Sequence, residues 1–214
     1  MTAKANQSPA RGTYRHGDLR NALLQAGIAL AREGGPEAIV LREATRRAGV
    51  VPNAAYRHFA SRQDLIDAVR SAALSELARG MEAGVAGATA GLDGADAARA
   101  ALRAVGLGYL KFAREQQGLF LATFPFPNDV RVDTDPARAG ASGLNPFQLL
   151  GAALDRMVDA GLMPASRRPG AEFLAWSAVH GLALLVIDGP LQHVPASFTG
   201  QLAQRLLDMV EQGL

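Results

Sequence analysis

Apolar residues recur with helical spacing along most of this chain. Leu19, Leu23, Ala26 and Leu30 fall at i, i+4, i+7 and i+11, one face of an amphipathic helix. Asp18 stands where it can cap the start of that helix, and Gly34-Gly35-Pro36 stops it. A short helix is predicted at about 42–48 and ends at Gly49. Val51 and Pro52 open a second short helix that runs to about Phe59, with proline where no amide hydrogen bond is needed. Ser61 is placed to cap the next helix, with Asp64 at its third position, favouring the positive helix end. Leu65, Val69, Ala72 or Ala73, and Leu77 form its buried stripe.

Residues 80–96, rich in glycine and alanine, read as the frayed end of that helix and a loop. A helix over about 97–114 carries Leu102, Val105, Tyr109, and Phe112 or Ala113 on one side. Residues 118–124 are apolar and aromatic, and residues 125–143 are polar with three prolines, the longest irregular stretch and an expected mobile one. Helical patterns resume at about 146–161, 170–188 and 196–212. There is no β-branched alternation with hairpin turns and no internal repeat. The predicted fold is all-α: an N-terminal three-helix helix-turn-helix unit joined to a larger helical domain. The expected divisions are an arm over 1–13, the helix-turn-helix over 14–62 and the helical domain over 63–214, with a helix from about 62 to 80 connecting the two.

Composition narrows the chemistry. The 214 residues include no cysteine, which excludes disulfides, a cysteine nucleophile and thiolate metal sites. The four histidines, His16, His58, His180 and His193, lie far apart and pair with no second ligand at metal spacing, so neither a metal nor a cofactor is expected. No run of about 18 apolar residues suggests a membrane span. The first twenty residues lack the apolar core of a signal peptide, so a cytoplasmic protein is expected. The net charge of +2 is unevenly spread. Residues 1–70 hold 11 Lys and Arg against 6 Asp and Glu, a surplus of +5, while the remainder is at −3. A basic first third on a mildly acidic remainder fits a polyanion-binding module attached to something else.

Residues 42–59, REATRRAGVVPNAAYRHF, are two short helices around a glycine-containing turn. Gly49 permits the positive φ that breaks the first helix abruptly. Ala44, Ala48, Val50 and Ala55 are small or apolar and let the two helices cross closely, so the second presents its first residues outward toward a major groove. With AGVVPNAAYRHFASRQDLIDAV and the preceding YRHGDLRNALLQAGIALAREGG, residues 14–78 resemble the DNA-binding region of the TetR family of bacterial repressors. Val40 and Val51 stand where that family usually has Ser or Thr caps, Ala44-Thr45 replaces its Ile/Val-Ala pair, and Arg62 replaces its lysine. Trp176, His180 and Gly181 in FLAWSAVHGLALLVIDG, together with YLKFAREQQGLFLATF, resemble the WHG-type ligand-binding domain of one TetR subgroup.

The resemblance implies roles for particular residues. Tyr56 and His58 match family positions that contact phosphates and fix the helix register. Phe59 is expected in the core. Pro52, Asn53 and Ala54 fall in the first turn of the recognition helix: Asn53 can pair with adenine or reach a phosphate, and Ala54 can touch a thymine methyl. Arg42 and Arg62 are expected at phosphates, whereas Arg46 and Arg47 read either way. Arg11 and Arg15 form a basic arm that either enters the minor groove or stays in solvent.

Phe112, Phe120, Phe124, Phe147, Met157 and Trp176 line a ligand pocket or form plain core. His180, one turn from Trp176, is a ligand contact or a structural hydrogen-bonding residue. The last two helices are too apolar to be covered comfortably in a monomer, so either a four-helix homodimer interface or an internal hairpin core is expected. The function expected is a DNA-binding regulator, a repressor released from a pseudo-palindromic double-stranded operator by a small, largely apolar effector. An effector-independent regulator is the alternative. No catalytic set or phosphate loop supports an enzyme.

Overall fold

A computed structural model describes residues 16–124 and 130–214. The arm, with Arg11 and Arg15, lies outside the described residues, as do the side chains of His16, Asp18 and Pro52. The described residues form nine α-helices with three short 3-10 turns and no strand. In chain order the helices are α1 (His16–Ala38), α2 (Leu41–Arg47), α3 (Pro52–Ala55), α4 (Arg62–Thr89), α5 (Gly94–Glu115), α6 (Gln117–Thr123), α7 (Pro146–Asp159), α8 (Ala171–Ile187) and α9 (Ala196–Gly213).

Several ends form where side-chain chemistry puts them. Gly34 and Gly35 leave helical geometry and kink α1 before a last turn at Pro36. After α2, Gly49 takes φ +69, its N–H reaches the Arg46 carbonyl and the Val50 N–H reaches back to Thr45, the paired bonds of a Schellman stop. Ser61 accepts from the Asp64 N–H at 3.1 Å, and Asp64 accepts from the Ala60 N–H at 2.9 Å, fixing the start of α4. Val40 and Val51 supply no cap, leaving α2 and α3 open at their N-termini.

Besides α3, which ends at Ala55 rather than near Phe59, two expectations require correction. First, α4 does not fray near residue 80 but continues to Thr89. Met81 is buried beneath α5, and Gly108 lets the helices meet so closely that a Cβ there would lie 3.2 Å from the Met81 Cα. Tertiary packing against α5 outweighs the propensity cost of Gly80, Gly84 and Gly87. Second, the described part of the polar stretch, residues 130–143, is tied down. Glu82 on α4 accepts from the backbone N–H groups of Ala141 and Ser142 at 2.8 and 2.9 Å. Ser75 donates to the Ala139 carbonyl, and a nearly buried Arg138–Asp133 pair closes the segment on itself at 2.7 Å. Residues 125–129 of that stretch lie outside the described residues.

The core runs without a break from Leu23 on α1 through Leu65, Val69 and Leu77 on α4 to Tyr109, Leu154, Val179 and Leu207. The N-terminal helices and the larger body thus share one packed interior. Among the described residues no helix is long and apolar enough to cross a membrane, and no cluster of metal-binding side chains occurs.

Candidate nucleic-acid interface and apolar cleft

The α2–turn–α3 unit is small and rigid. Ala44 and Ala55 are fully buried, and the buried Thr45 hydroxyl donates to the Arg42 carbonyl at 2.6 Å. Phe59 is buried just beyond α3, where the Arg20 guanidinium covers its ring at 5.2 Å, locking the helix end to α1. With Phe59 anchored inward, the preceding residues turn outward. Asn53 is exposed, Ala54 and His58 are partly exposed, and Tyr56 is 57% exposed.

The cations around this face fall into two groups. Glu43 holds Arg46 and Arg47, Glu33 also holds Arg47, and these hydrogen bonds pull the Glu43 carboxyl down to about 2. Arg47 thereby ties α2 to α1. Arg42 and Arg57 are exposed, and the guanidinium of neither has a hydrogen bond or ion pair among the described residues. Arg62, expected at a phosphate, is exposed and also bonded within the protein. Its Nε donates to the Ile39 carbonyl and a terminal nitrogen to the Pro36 carbonyl, both at 2.7 Å, so the guanidinium clamps the loop between α1 and α2.

The larger body contains a narrow apolar cleft of about 70 Å³ between α4, α5, α7, α8 and α9. Of the seven side chains expected to line a pocket, Phe124, Phe147 and Trp176 border it. The other four do not. Phe112, Phe120 and Met157 are buried in the core alongside. His180 stands behind the wall, 4.9 Å from the Phe124 ring by centroid, with its Nδ1 hydrogen-bonded to the Tyr109 hydroxyl at 2.8 Å. Tyr109 accepts in turn from the Trp176 indole N–H at 3.1 Å. Burial pushes the Tyr109 phenol well above its usual range, so it stays protonated. Burial also lowers the His180 pKa, favouring the neutral imidazole. This fits the structural reading of His180.

Helix α6 joins the two regions. At its first turn, Gly118 lies against the backbone of α1: a Cβ there would overlap the Ala31 carbonyl oxygen and sit 3.0 Å from that of Arg32. Arg32 adds bonds to Gln116 at 2.8 Å and to Glu76 on α4 at 2.9 Å. At the other end, the buried Arg70 of α4 donates to the Thr123 carbonyl at 3.2 Å, next to the cleft residue Phe124. Sequence reading did not assign a helix here, and nothing local marks Gly118 as a contact. Tyr109 was legible as a core position but not as the partner of a histidine 71 residues away. Arg57, between two singled-out residues, was visible only as one of many arginines.

An exposed recognition-type helix after a glycine turn, set on a helical body with a cleft, defines a helix-turn-helix DNA-binding protein. Comparison with known proteins agrees. Residues 23–69 match the family model described as bacterial regulatory proteins, tetR family. Residues 102–210, just over half of the chain, match the one described as Tetracyclin repressor-like, C-terminal domain. The chain belongs to the TetR family and is a DNA-binding transcriptional regulator rather than an enzyme.

Solved structures share the fold. A protein of unknown function from Rhodococcus sp. RHA1 is 24% identical with TM-score 0.73, over 95% of this chain and 99% of that one. The TetR family transcriptional regulator PfmR from Thermus thermophilus is 20% identical with TM-score 0.55, over 90% and 98%. A second Rhodococcus sp. Rha1 protein, a transcriptional regulator, is 20% identical with TM-score 0.53, over 91% and 96%. A search of curated proteins finds no match.

Proposed function

We propose that this protein is a homodimeric repressor that leaves a pseudo-palindromic operator when a small, largely apolar molecule enters the cleft. The observation that carries the effector reading is the placement of α6. One seven-residue helix abuts α1 of the DNA-binding unit at Gly118 and ends beside Phe124 in the cleft wall. An occupant that displaces Phe124 pushes on the Arg70–Thr123 bond and on the Gly118–Ala31 contact together. The occupant acts only through a difference in affinity between the two arrangements.

On the DNA side, Asn53 and Ala54, with Pro52 at the start of the same turn, address base edges. Arg42, Tyr56, His58 and Arg57 address phosphates, and Arg62 positions the loop behind them. Two such units in a dimer read half-sites about 34–36 Å apart. The dimer reading rests on α8 and α9. Only the stripe Ala171, Ala175, Val179, Ala183 and Ile187 of α8 is buried, while Leu174 is 65% exposed and Leu184 and Leu185 are exposed with it. Gly181 has open space where a Cβ would go, and α9 adds exposed Phe198 and Met209. A partner's pair of helices covers this surface as a four-helix interface.

The test is fluorescence anisotropy with a labelled duplex from the gene's own upstream region and a scrambled duplex, across a salt series. The expected result is at least ~10³ tighter binding to the first duplex, a steep negative salt slope and large loss in Tyr56→Ala. No binding to either duplex at low salt would refute the assignment of the interface. Specific binding that no apolar molecule releases supports the effector-independent alternative instead.

A further inference from the structure

Among the described residues, the cleft lining is apolar apart from Arg103, Glu211, Asp133, Asn145, Tyr109 and Trp176, and these six are already engaged within the protein. At one end Arg103 pairs with Asp208 at 2.5 Å and lies 3.6 Å from Glu211, which also pairs with Arg99 at 2.9 Å. Two cations there face two anions. At the other end, Asp133 accepts from Arg138 at 2.7 Å and from the Asp135 N–H at 3.2 Å, one bond to each oxygen, and its charge is paired. Asn145 spends its amide on the Asp133 carbonyl and its oxygen on the Gln148 N–H. The Trp176 N–H and the Tyr109 hydroxyl are consumed in the chain to His180. Among the described residues no buried side-chain nitrogen or oxygen lacks a partner.

A site built for an ionised headgroup needs an opposite charge held ready, because a charge moved next to apolar walls without a partner is strongly disfavoured. A site built for a polar ligand needs unspent donors or acceptors. Among the described residues, every charge of the cleft already faces an opposite charge and every polar group already has a partner. We infer that its ligand is an uncharged, hydrocarbon-rich molecule recognised by apolar contact alone, with no anionic or cationic headgroup. This rests on the proposed reading of the cleft as the effector site. Discrimination then comes from length and shape. Each methylene buried tightens binding about fourfold until the cleft is filled.

Trp176 is the single tryptophan of the chain and borders the cleft, so its fluorescence reports occupancy without DNA. The full-length protein is titrated with 1-octanol, 1-decanol and 1-dodecanol, and with carboxylates and alkylammonium ions of the same lengths, all below their micelle concentrations. The expected result is a stepwise gain with alcohol length and at least tenfold weaker binding of both charged series. The ammonium series probes the acid at the Asp133 end. Glu211→Gln leaves a cation in excess at the other end and is expected to narrow the preference for alcohol over carboxylate several-fold. Charged probes binding as tightly as the alcohols, or a preference unchanged in Glu211→Gln, would overturn the inference and leave the effector reading standing. Failure of every probe to bind or to release operator DNA would remove both.

Discussion

Replacing Gly118 with alanine tests the joint between the two regions directly. The added methyl meets three backbone atoms: it overlaps the Ala31 carbonyl oxygen and lies 3.0 Å from the Arg32 oxygen and 3.1 Å from the Gly35 nitrogen. Backbone atoms cannot rotate aside as a side chain does, so α6 must retreat from α1 by roughly 1 Å to restore ordinary contact. Overpacking of this kind costs about 1–3 kcal/mol. Alanine returns up to about 1 kcal/mol through its helix propensity, and less in a first turn. The net loss is then about 1–2 kcal/mol, a fall in Tm of roughly 2–8 °C for a chain of this size. Gly87→Ala is the matched control: it lies inside α4 with nothing within 4 Å of the new methyl, so it is expected to raise stability by about 0.4–1 kcal/mol. The assay is thermal unfolding by circular dichroism, paired with operator anisotropy on the same samples. If Gly118→Ala melts at or above wild type and binds operator equally well, the α1–α6 contact is not tight and the coupling built on it fails.

Three further outcomes follow from the geometry. Arg62→Lys is expected to lower stability by about 1–2 kcal/mol in a denaturant titration, because an ammonium cannot bridge the Ile39 and Pro36 carbonyls as the guanidinium does; wild-type stability would rule that out. Because burial lowers the His180 pKa, the unfolded chain takes up that proton first. The stabilisation from neutral His180 is therefore complete above the ordinary value of 6.5 and declines as pH falls below it. The stability gap between wild type and His180→Gln should accordingly shrink from pH 7.5 to pH 5.5, and a constant gap contradicts this account. The double substitution Leu174→Glu, Leu185→Glu should sediment as a monomer at concentrations where wild type is dimeric and should bind operator weakly; an intact dimer would place the interface elsewhere.

Local signals went far in this chain because helices are set by neighbours three and four residues apart. The stop at Gly49, the start at Ser61 and Asp64, the inward Phe59 and the exposed Asn53 and Tyr56 all lie within one stretch. Their arrangement follows from turn and capping chemistry that needs no distant contact. The same locality explains the errors. The glycines of α4 argue for a frayed end only while the α5 surface against Met81 is out of view. Residues 130–143 look mobile only without Glu82 and Ser75 of α4 beside them.

The sequence by itself determined the helical architecture, the turn that exposes α3 and the family to which the chain belongs. It also marked α8 as too apolar to be enclosed by one chain. Only the tertiary structure decided which aromatic residues face empty space and which fill the core, since Phe120 and Phe124 stand one helical turn apart and only Phe124 borders the cleft. It also decided that Arg62 bonds the loop between α1 and α2, that His180 is hydrogen-bonded to Tyr109, and that Gly118 carries the contact between α6 and α1. The physical reason is common to all of these. Each depends on atoms brought together from distant parts of the chain by packing, and helical periodicity records which face is apolar but not what that face will meet.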